Sequence, residues 1–320
     1  MDTVFSEEEE KKNDFIWKRE KDKQYGPGVI DNKGGIIMIY ALLDCISHFF
    51  PEIYKKVNWG VFLNSAEELG TEEFVEICKD YLGDKAIACL IFEPGSSGIV
   101  NQSIVTSRKG IVSFKIEVEG RAAHAGNDHK AGVNAINQLC NIILAISELT
   151  NYDRGITFNI WSIHGGENIN QVPHYAYALG EMRAFSLEEF DEGINKLLSL
   201  KYRTLESFDK AYSSKVNIVV TSRTNPWPHN VGTEQLSNYW KEAGRLLNID
   251  VSMDCKAGLS DGNFLWNLVP TIDGLGPSGD NTHSSQMVFG NTSGQEFLDV
   301  NQLVNKILLN TLAIVQFLTH

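Results

Sequence analysis

Gly26-Pro27-Gly28-Val29-Ile30-Asp31-Asn32-Lys33-Gly34-Gly35 is the stretch whose reading decides the fold. Gly26, Pro27 and Gly28 make a turn. Asp31 follows, then Lys33, a glycine pair and an apolar run from Ile36 that predicts a buried helix over 36–49, ending before Pro51. A carboxylate on a glycine-rich loop just before a buried helix is placed for a polar site rather than for packing. Taken alone, the stretch also fits an ordinary turn with a capping Asp, and short glycine motifs match by accident. The rest of the chain has to decide.

Working outward, the charged segment 6–24 reads as a solvated loop or hairpin with Trp17 as its one large anchor. Residues 58–63 read as a buried strand that delivers Glu67 and Glu68; 72–82 read as a helix; 86–92 read as a strand that delivers Glu93 and Pro94. Strand, acidic loop, helix, strand, acidic loop is the rhythm of an α/β domain with a mostly parallel sheet. In such sheets ligands bind beyond the carboxyl ends of the strands. The texture changes near Lys109. Gly110–Glu119 alternates polar and apolar, followed by a loop to Gly126, a helix over 131–150, strands over 157–164 and 176–183, a helix over 187–200 and a strand over 215–221. The expectation is an inserted α+β domain with a four-stranded antiparallel sheet and two helices. From Arg223 the α/β texture returns: a helix over 234–247, a strand over 270–275, a polar loop through His283 and a last amphipathic helix over 299–318. The expected boundaries are therefore 1–108 with 223–320 for the first domain and 109–222 for the second.

The bulk properties bound the function. At 320 residues the chain exceeds one simple core. A formal net charge of −13 argues against nucleic acid as a partner. Five scattered cysteines, with no Cys-x-x-Cys pair, indicate neither a disulfide framework nor a zinc knuckle. No apolar run reads as long enough to span a bilayer, so no membrane partner is expected. The first residues do not read as a signal peptide, and the expected compartment is the cytoplasm.

The loop-borne groups are Asp31, Glu67, Glu68, Glu93 and His283. Carboxylates crowd together only when compensated. A pair of divalent cations, about 3.5–4 Å apart and sharing one carboxylate, supplies that compensation. A further carboxylate can then move the proton of the attacking water to a leaving amine. His and carboxylate ligands suit a catalytic zinc, and the adjacent Glu67 and Glu68 can divide the work, one as base and one as ligand. The plainer reading of Glu67-Glu68 is a solvated helix start.

With these residues on the page, the chain resembles the di-zinc hydrolase family of glutamate carboxypeptidase (carboxypeptidase G), aminoacylase and the di- and tripeptidases. The shared marks are Gly-x-Gly-x-x-Asp31-x-Lys33-Gly-Gly, Glu67-Glu68, Glu93-Pro94, Gly120-x-x-x-His124-Ala-Gly126, Asn170-x-Val-Pro173 and Gly-Pro-x-Gly-x-x-x-His283-Ser284. The resemblance implies two zinc ions per subunit, with Asp31 bridging, Glu68 and His283 on one metal, Glu93 on the other, and Glu67 as general base. It implies a cis peptide after Asp31. It makes the second domain a lid and dimerisation domain, whose His124 reaches the partner subunit's active site and stabilises the oxyanion. Asn170 and Arg223 are implied to hold the substrate's carboxylate. Arg183 is left as structural or substrate-side. The implied substrate is a small peptide or N-acyl amino acid from which a C-terminal residue, glutamate among the candidates, is removed.

Two departures stand out. The family's first metal ligand is a histidine two residues before an Asp, in His-x-Asp-Thr-Val, and this chain opens Met1-Asp2-Thr3-Val4. Asp2 matches the Asp that orients that histidine, so the expectation is a late start or truncated gene, with one metal lost and a segment before Met1 that could have carried a signal. The competing expectation is thus an impaired remnant that binds at most one metal. Near His283, where the family often has a Glu, the chain has Gln286 and Met287. The other six histidines, His48, His129, His164, His174, His229 and His320, sit in no matching motif and are read as ordinary surface or core residues, and Trp227 as packing.

Overall fold

The computed structural model describes residues 3–69, 72–82, 85–95, 101–206, 208, 210–288 and 294–320. Asp2 lies outside them. The chain divides into two compact units, one of residues 1–107, 229–256 and 260–320, the other of 108–228 with 257–259.

In the first unit, Ser6 caps α1 (Glu7–Lys12) through the amide of Glu9, so part of the expected solvated loop is helical. A hairpin follows, β1 (Lys18–Glu20) against β2 (Lys23–Tyr25). The Gly-rich loop then opens α2 (Lys33–Phe49), which buries Met38, Leu42 and Ile46, one face at helical spacing. Pro51 starts the short α3 (Pro51–Tyr54), and α4 (Glu72–Leu82) comes next. The strand expected over 58–63 is absent: among the described residues that apolar run belongs to no strand or ladder. Of the strand expected over 86–92, only β3 (Cys89–Leu90) is paired. β4 (Asn101–Arg108) is a strand for which the sequence reading made no provision.

The second unit is a sheet of β5 (Gly110–Glu119), β6 (Thr157–Gly165), β7 (Tyr175–Ala184) and β8 (Lys215–Thr224) in the order β6-β7-β5-β8, with every pairing antiparallel. Two helices accompany it, α5 (Ala135–Ser147) and α6 (Leu187–Ser199). The alternation of β5 is realised as expected. Val112, Phe114, Ile116 and Val118 are fully buried against Leu139 and Ile142 of α5 and Phe190 and Leu197 of α6, while the intervening side chains stay partly exposed.

The chain then completes the first unit with α7 (Val231–Leu247), β9 (Asp250–Lys256), which neighbours β4, and α8 (Gly262–Leu265). β10 (Thr271–Ile272) pairs in parallel with β3. β11 (Gly279–Asp280) and β12 (Phe297–Asp299) join the hairpin in an antiparallel sheet, β1-β2-β12-β11. The last helix, α9 (Val300–Thr319), is long and apolar enough to cross a membrane by length and composition, which corrects the expectation that no such run exists. Leu309, Ala313 and Ile314 of α9 pack with Met38 and Leu42 of α2 and Leu236 and Trp240 of α7 to form the core. Asn310 ties this core together. Its Oδ1 accepts from Trp240 Nε1 at 2.9 Å and its Nδ2 donates to the Leu275 carbonyl at 2.9 Å, so the buried amide is satisfied on both sides.

Candidate metal centre

The loop before α2 is built to hold Asp31 still. Val29 N donates to the Gly26 carbonyl at 3.2 Å and Lys33 N to the Gly28 carbonyl at 2.8 Å. Gly28 has φ +68, in the left-handed region that glycine enters freely. Asp31 does not cap the helix. Asn32 occupies the N-cap position, but its side chain makes no capping bond. Instead its Nδ2 donates to Glu93 Oε1 at 3.0 Å. Gly35 makes room for this: a Cβ there would collide with Asn32 Oδ1 and with the Phe92 carbonyl. The peptide between Asp31 and Asn32 is cis.

Glu67 and Glu68 stand on a one-turn 3-10 helix, Glu67–Leu69, and both are half-buried. Glu93 follows β3, where the amide of Gly276 donates to its carbonyl. His283 follows β11 in a turn closed by Ser284 N donating to the Asn281 carbonyl at 3.0 Å.

These loops bring Asp31, Glu68 and His283 together, with one ligand atom of each within 4.8 Å of the others. His283 Nε2 lies 3.3 Å from Asp31 Oδ2 and 3.4 Å from Glu68 Oε1. A tetrahedral ion with bonds of about 2.0–2.2 Å has ligand–ligand edges of about 3.3–3.6 Å, so two carboxylates and one imidazole fit a zinc in both kind and spacing. Asp31, Asn32, Glu67, Glu68 and Glu93 line one cavity of about 640 Å³. Glu93 is outside the three-residue cluster and reaches it through Asn32.

The electrostatics agree. The hydrogen bond to Asp31 raises the His283 imidazole to about 9, with the charges of Glu68, Asp31 and Glu296 adding to it against burial. Glu296 was missed by the sequence reading. It is fully buried, and burial pushes its carboxyl up to about 7 against the backbone N–H groups of Ile30, Asp31 and His283. Gln286 and Met287 stand where the resemblance expects a Glu, and Glu296 approaches the Asp31 loop from further along the chain. The reading of the polar loop ends at Ser284 and, beyond Gln286 and Met287, gives the residues before the last helix no role.

The remaining residues lie in the second unit. His124 is exposed, and its Nδ1 accepts the amides of Gly126 and Asn127 at 3.1 Å each, which puts the neutral ring's proton on Nε2. Ala125 N donates to the Asn170 carbonyl at 2.8 Å and His124 bridges Gln171, so the His124 and Asn170 loops adjoin. Arg223 does not join them. It pairs across the sheet with Val112 at the start of β5, whereas the His124 loop leaves from the end of that strand. At 3.3 Å per residue that is about 25 Å. Within one chain, therefore, Asn170 and Arg223 cannot grip the same carboxylate. Arg223 is held by Asp191 at 2.8 Å and Asn225 at 2.9 Å. Arg183 pairs with Glu181 at 2.9 Å and donates to the Ala257 carbonyl. Trp227, read as packing, is fully buried.

Comparison with known proteins gives the lineage. Residues 106–203 match the family model of the M20 peptidase dimerisation domain. Carboxypeptidase G2 of Pseudomonas sp. (strain RS-16) is 27% identical over 315 residues, 97% of this chain and 70% of that protein. Succinyl-diaminopimelate desuccinylase of Rickettsia massiliae (strain Mtu5) is 26% identical over 273 residues, 81% of this chain and 68% of that protein. Among solved structures, aminopeptidase PepT of Bacillus cereus ATCC 10987 superimposes with a TM-score of 0.70 at 18% identity, over 95% of this chain and 76% of the other. A tripeptidase of Staphylococcus aureus Mu50 does so with a TM-score of 0.68 at 19% identity, over 94% and 75%. The chain is thus similar over nearly its whole length to carboxypeptidase G2, and its residues 106–203 match the M20 dimerisation domain.

Proposed function

We propose that the protein is a zinc-dependent hydrolase of the amide bond next to a free carboxylate, releasing a C-terminal amino acid from a small peptide or an N-acyl amino acid. The observation that carries this is the convergence of Asp31, Glu68 and His283 at zinc-ligand spacing, with Glu67 in the cavity that Asp31 and Glu68 line.

Asp31, Glu68 and His283 would hold the ion, with Glu93 next to Asp31 as the ligand for a second one. When bound, zinc supplies Lewis acidity to a carbonyl and lowers the pKa of a water. Glu67 accepts the proton of the attacking water and delivers it to the departing amine, so that bond cleavage releases a neutral amine rather than an amide anion. The second unit serves as a dimerisation domain, and His124 donates from Nε2 to the developing oxyanion in the partner subunit's site. The separation of Arg223 from Asn170 supports that reading: one carboxylate can meet both groups only if they come from different chains. The cytoplasm is the compartment proposed.

The test is hydrolysis of an N-acyl glutamate and of a peptide ending in glutamate by the zinc-loaded protein. E67Q should bind zinc as the native protein does while kcat falls by about 10²–10⁴-fold. Full turnover by E67Q, or no zinc-dependent turnover of either substrate by the native chain, would defeat the proposal.

A further inference from the structure

Glu296 is buried and bonded at both ends. Its backbone N–H donates at 2.8 Å to the carbonyl of Ser284, the residue after His283. Its Oε1 accepts the backbone N–H groups of Ile30 at 3.1 Å and of Asp31 at 3.4 Å. The two loops so joined are remote in sequence and carry two of the three clustered ligands. His283 itself has φ +63 and Asn281 φ +62. A histidine in that region is held by its surroundings rather than by its own preference.

We propose that Glu296 is a positioning residue: by binding the backbone on both sides, it sets the separation of the Asp31 and His283 loops and hence the 3.3 Å approach of their ligand atoms. The inference rests on the metal reading of Asp31, Glu68 and His283 but concerns a residue that binds no metal. What matters under it is reach, not charge. Glutamine keeps the reach and an oxygen that accepts both amides. Aspartate keeps the charge but is shorter by one carbon, about 1.5 Å, which exceeds the tolerance of about 0.2 Å for ligand placement at a metal.

The test compares E296Q, E296D and the native protein, each checked for folding by circular dichroism. Zinc affinity is measured by competition with a chromophoric chelator. Loss of an outer partner of a ligand typically costs about 10–100-fold in metal affinity. E296D should lose that much, and E296Q should stay within about 3-fold. In the zinc-free protein, hydrogen exchange at the amides of Ile30 and Asp31 should quicken in E296D and not in E296Q. Equal zinc affinity or equal exchange in E296D overturns the inference, as does E296Q weaker than E296D. If E296D does not fold, E296Q decides: retention supports the inference and a loss of tenfold or more overturns it. Failure of the native protein to bind zinc would instead remove the metal reading, leaving the exchange rates to judge the clamp.

Discussion

His283 Nε2 and Asp31 Oδ2 face each other at 3.3 Å from opposite ends of the first unit's sequence. One side chain comes from the loop before α2 and the other from the turn after β11, and neither loop has a second clustered ligand of its own. The pair depends on both loops being held, so it reports directly on the centre. H283A and E68A should each lower zinc affinity by more than the roughly 100-fold that an outer partner costs. Zinc titration with a competing chelator checks this. Unchanged affinity in either variant would mean that the metal binds elsewhere.

His124 gives a prediction about the assembly. If it serves the partner's site, H124A and E67Q chains are both impaired alone but complement each other when mixed. A mixed dimer holds one site with both lesions and one intact site. An equal mixture that re-equilibrates should recover about a quarter of native activity, since half the dimers are mixed. No recovery, or a monomer in sedimentation at micromolar concentration, would remove the role assigned to His124.

Lys306 gives a pH dependence. It is fully buried on α9, its Nζ donates to the Ser103 carbonyl at 2.7 Å, and burial pulls its pKa down to about 7, opposed by Asp254 and Asp273. Between pH 7 and its ordinary 10.5, the unfolded chain carries the proton and the folded one does not. Stability therefore rises with pH across that window, by about 5 kcal/mol at 1.36 kcal/mol per pH unit. Below about pH 7 both states are protonated and the whole penalty is present. K306M removes the penalty but leaves a carbonyl without its donor, at about 1–3 kcal/mol. K306M should thus be more stable than the native protein at pH 6 and less stable at pH 10. Thermal melts at the two pH values check the change of sign.

Gly35 tests the loop itself. G35A drives a methyl group into Asn32 Oδ1 and the Phe92 carbonyl. Overpacking of this kind costs about 1–3 kcal/mol, and here it also pushes Asn32 off Glu93. The melting temperature should fall, and zinc affinity should fall with it. A variant that melts early but binds zinc normally would show that the Asn32–Glu93 contact is irrelevant to the centre.

What was legible in the sequence follows from local physics. The alternation of Gly110–Glu119 names the buried face of β5 residue by residue, since side chains alternate across a strand. The 3.6-residue spacing of Met38, Leu42 and Ile46 marks the core side of α2. Placement on loops singles out Asp31, Glu67, Glu68, Glu93 and His283 as a polar set, because carboxylates crowd together only when compensated, and the family resemblance names Asp31, Glu68, Glu93 and His283 among them as ligands. The rest depended on partners distant in the chain. Residues 58–63 look like a strand, yet a strand exists only where another backbone completes its ladder, and among the described residues none does so. Nothing local places Glu296 beside Ile30 and Asp31; only the return of the chain to Ser284 brings it there. The separation of Arg223 from Asn170 is likewise a matter of sheet register, which pairwise hydrogen bonds set and a linear motif does not encode.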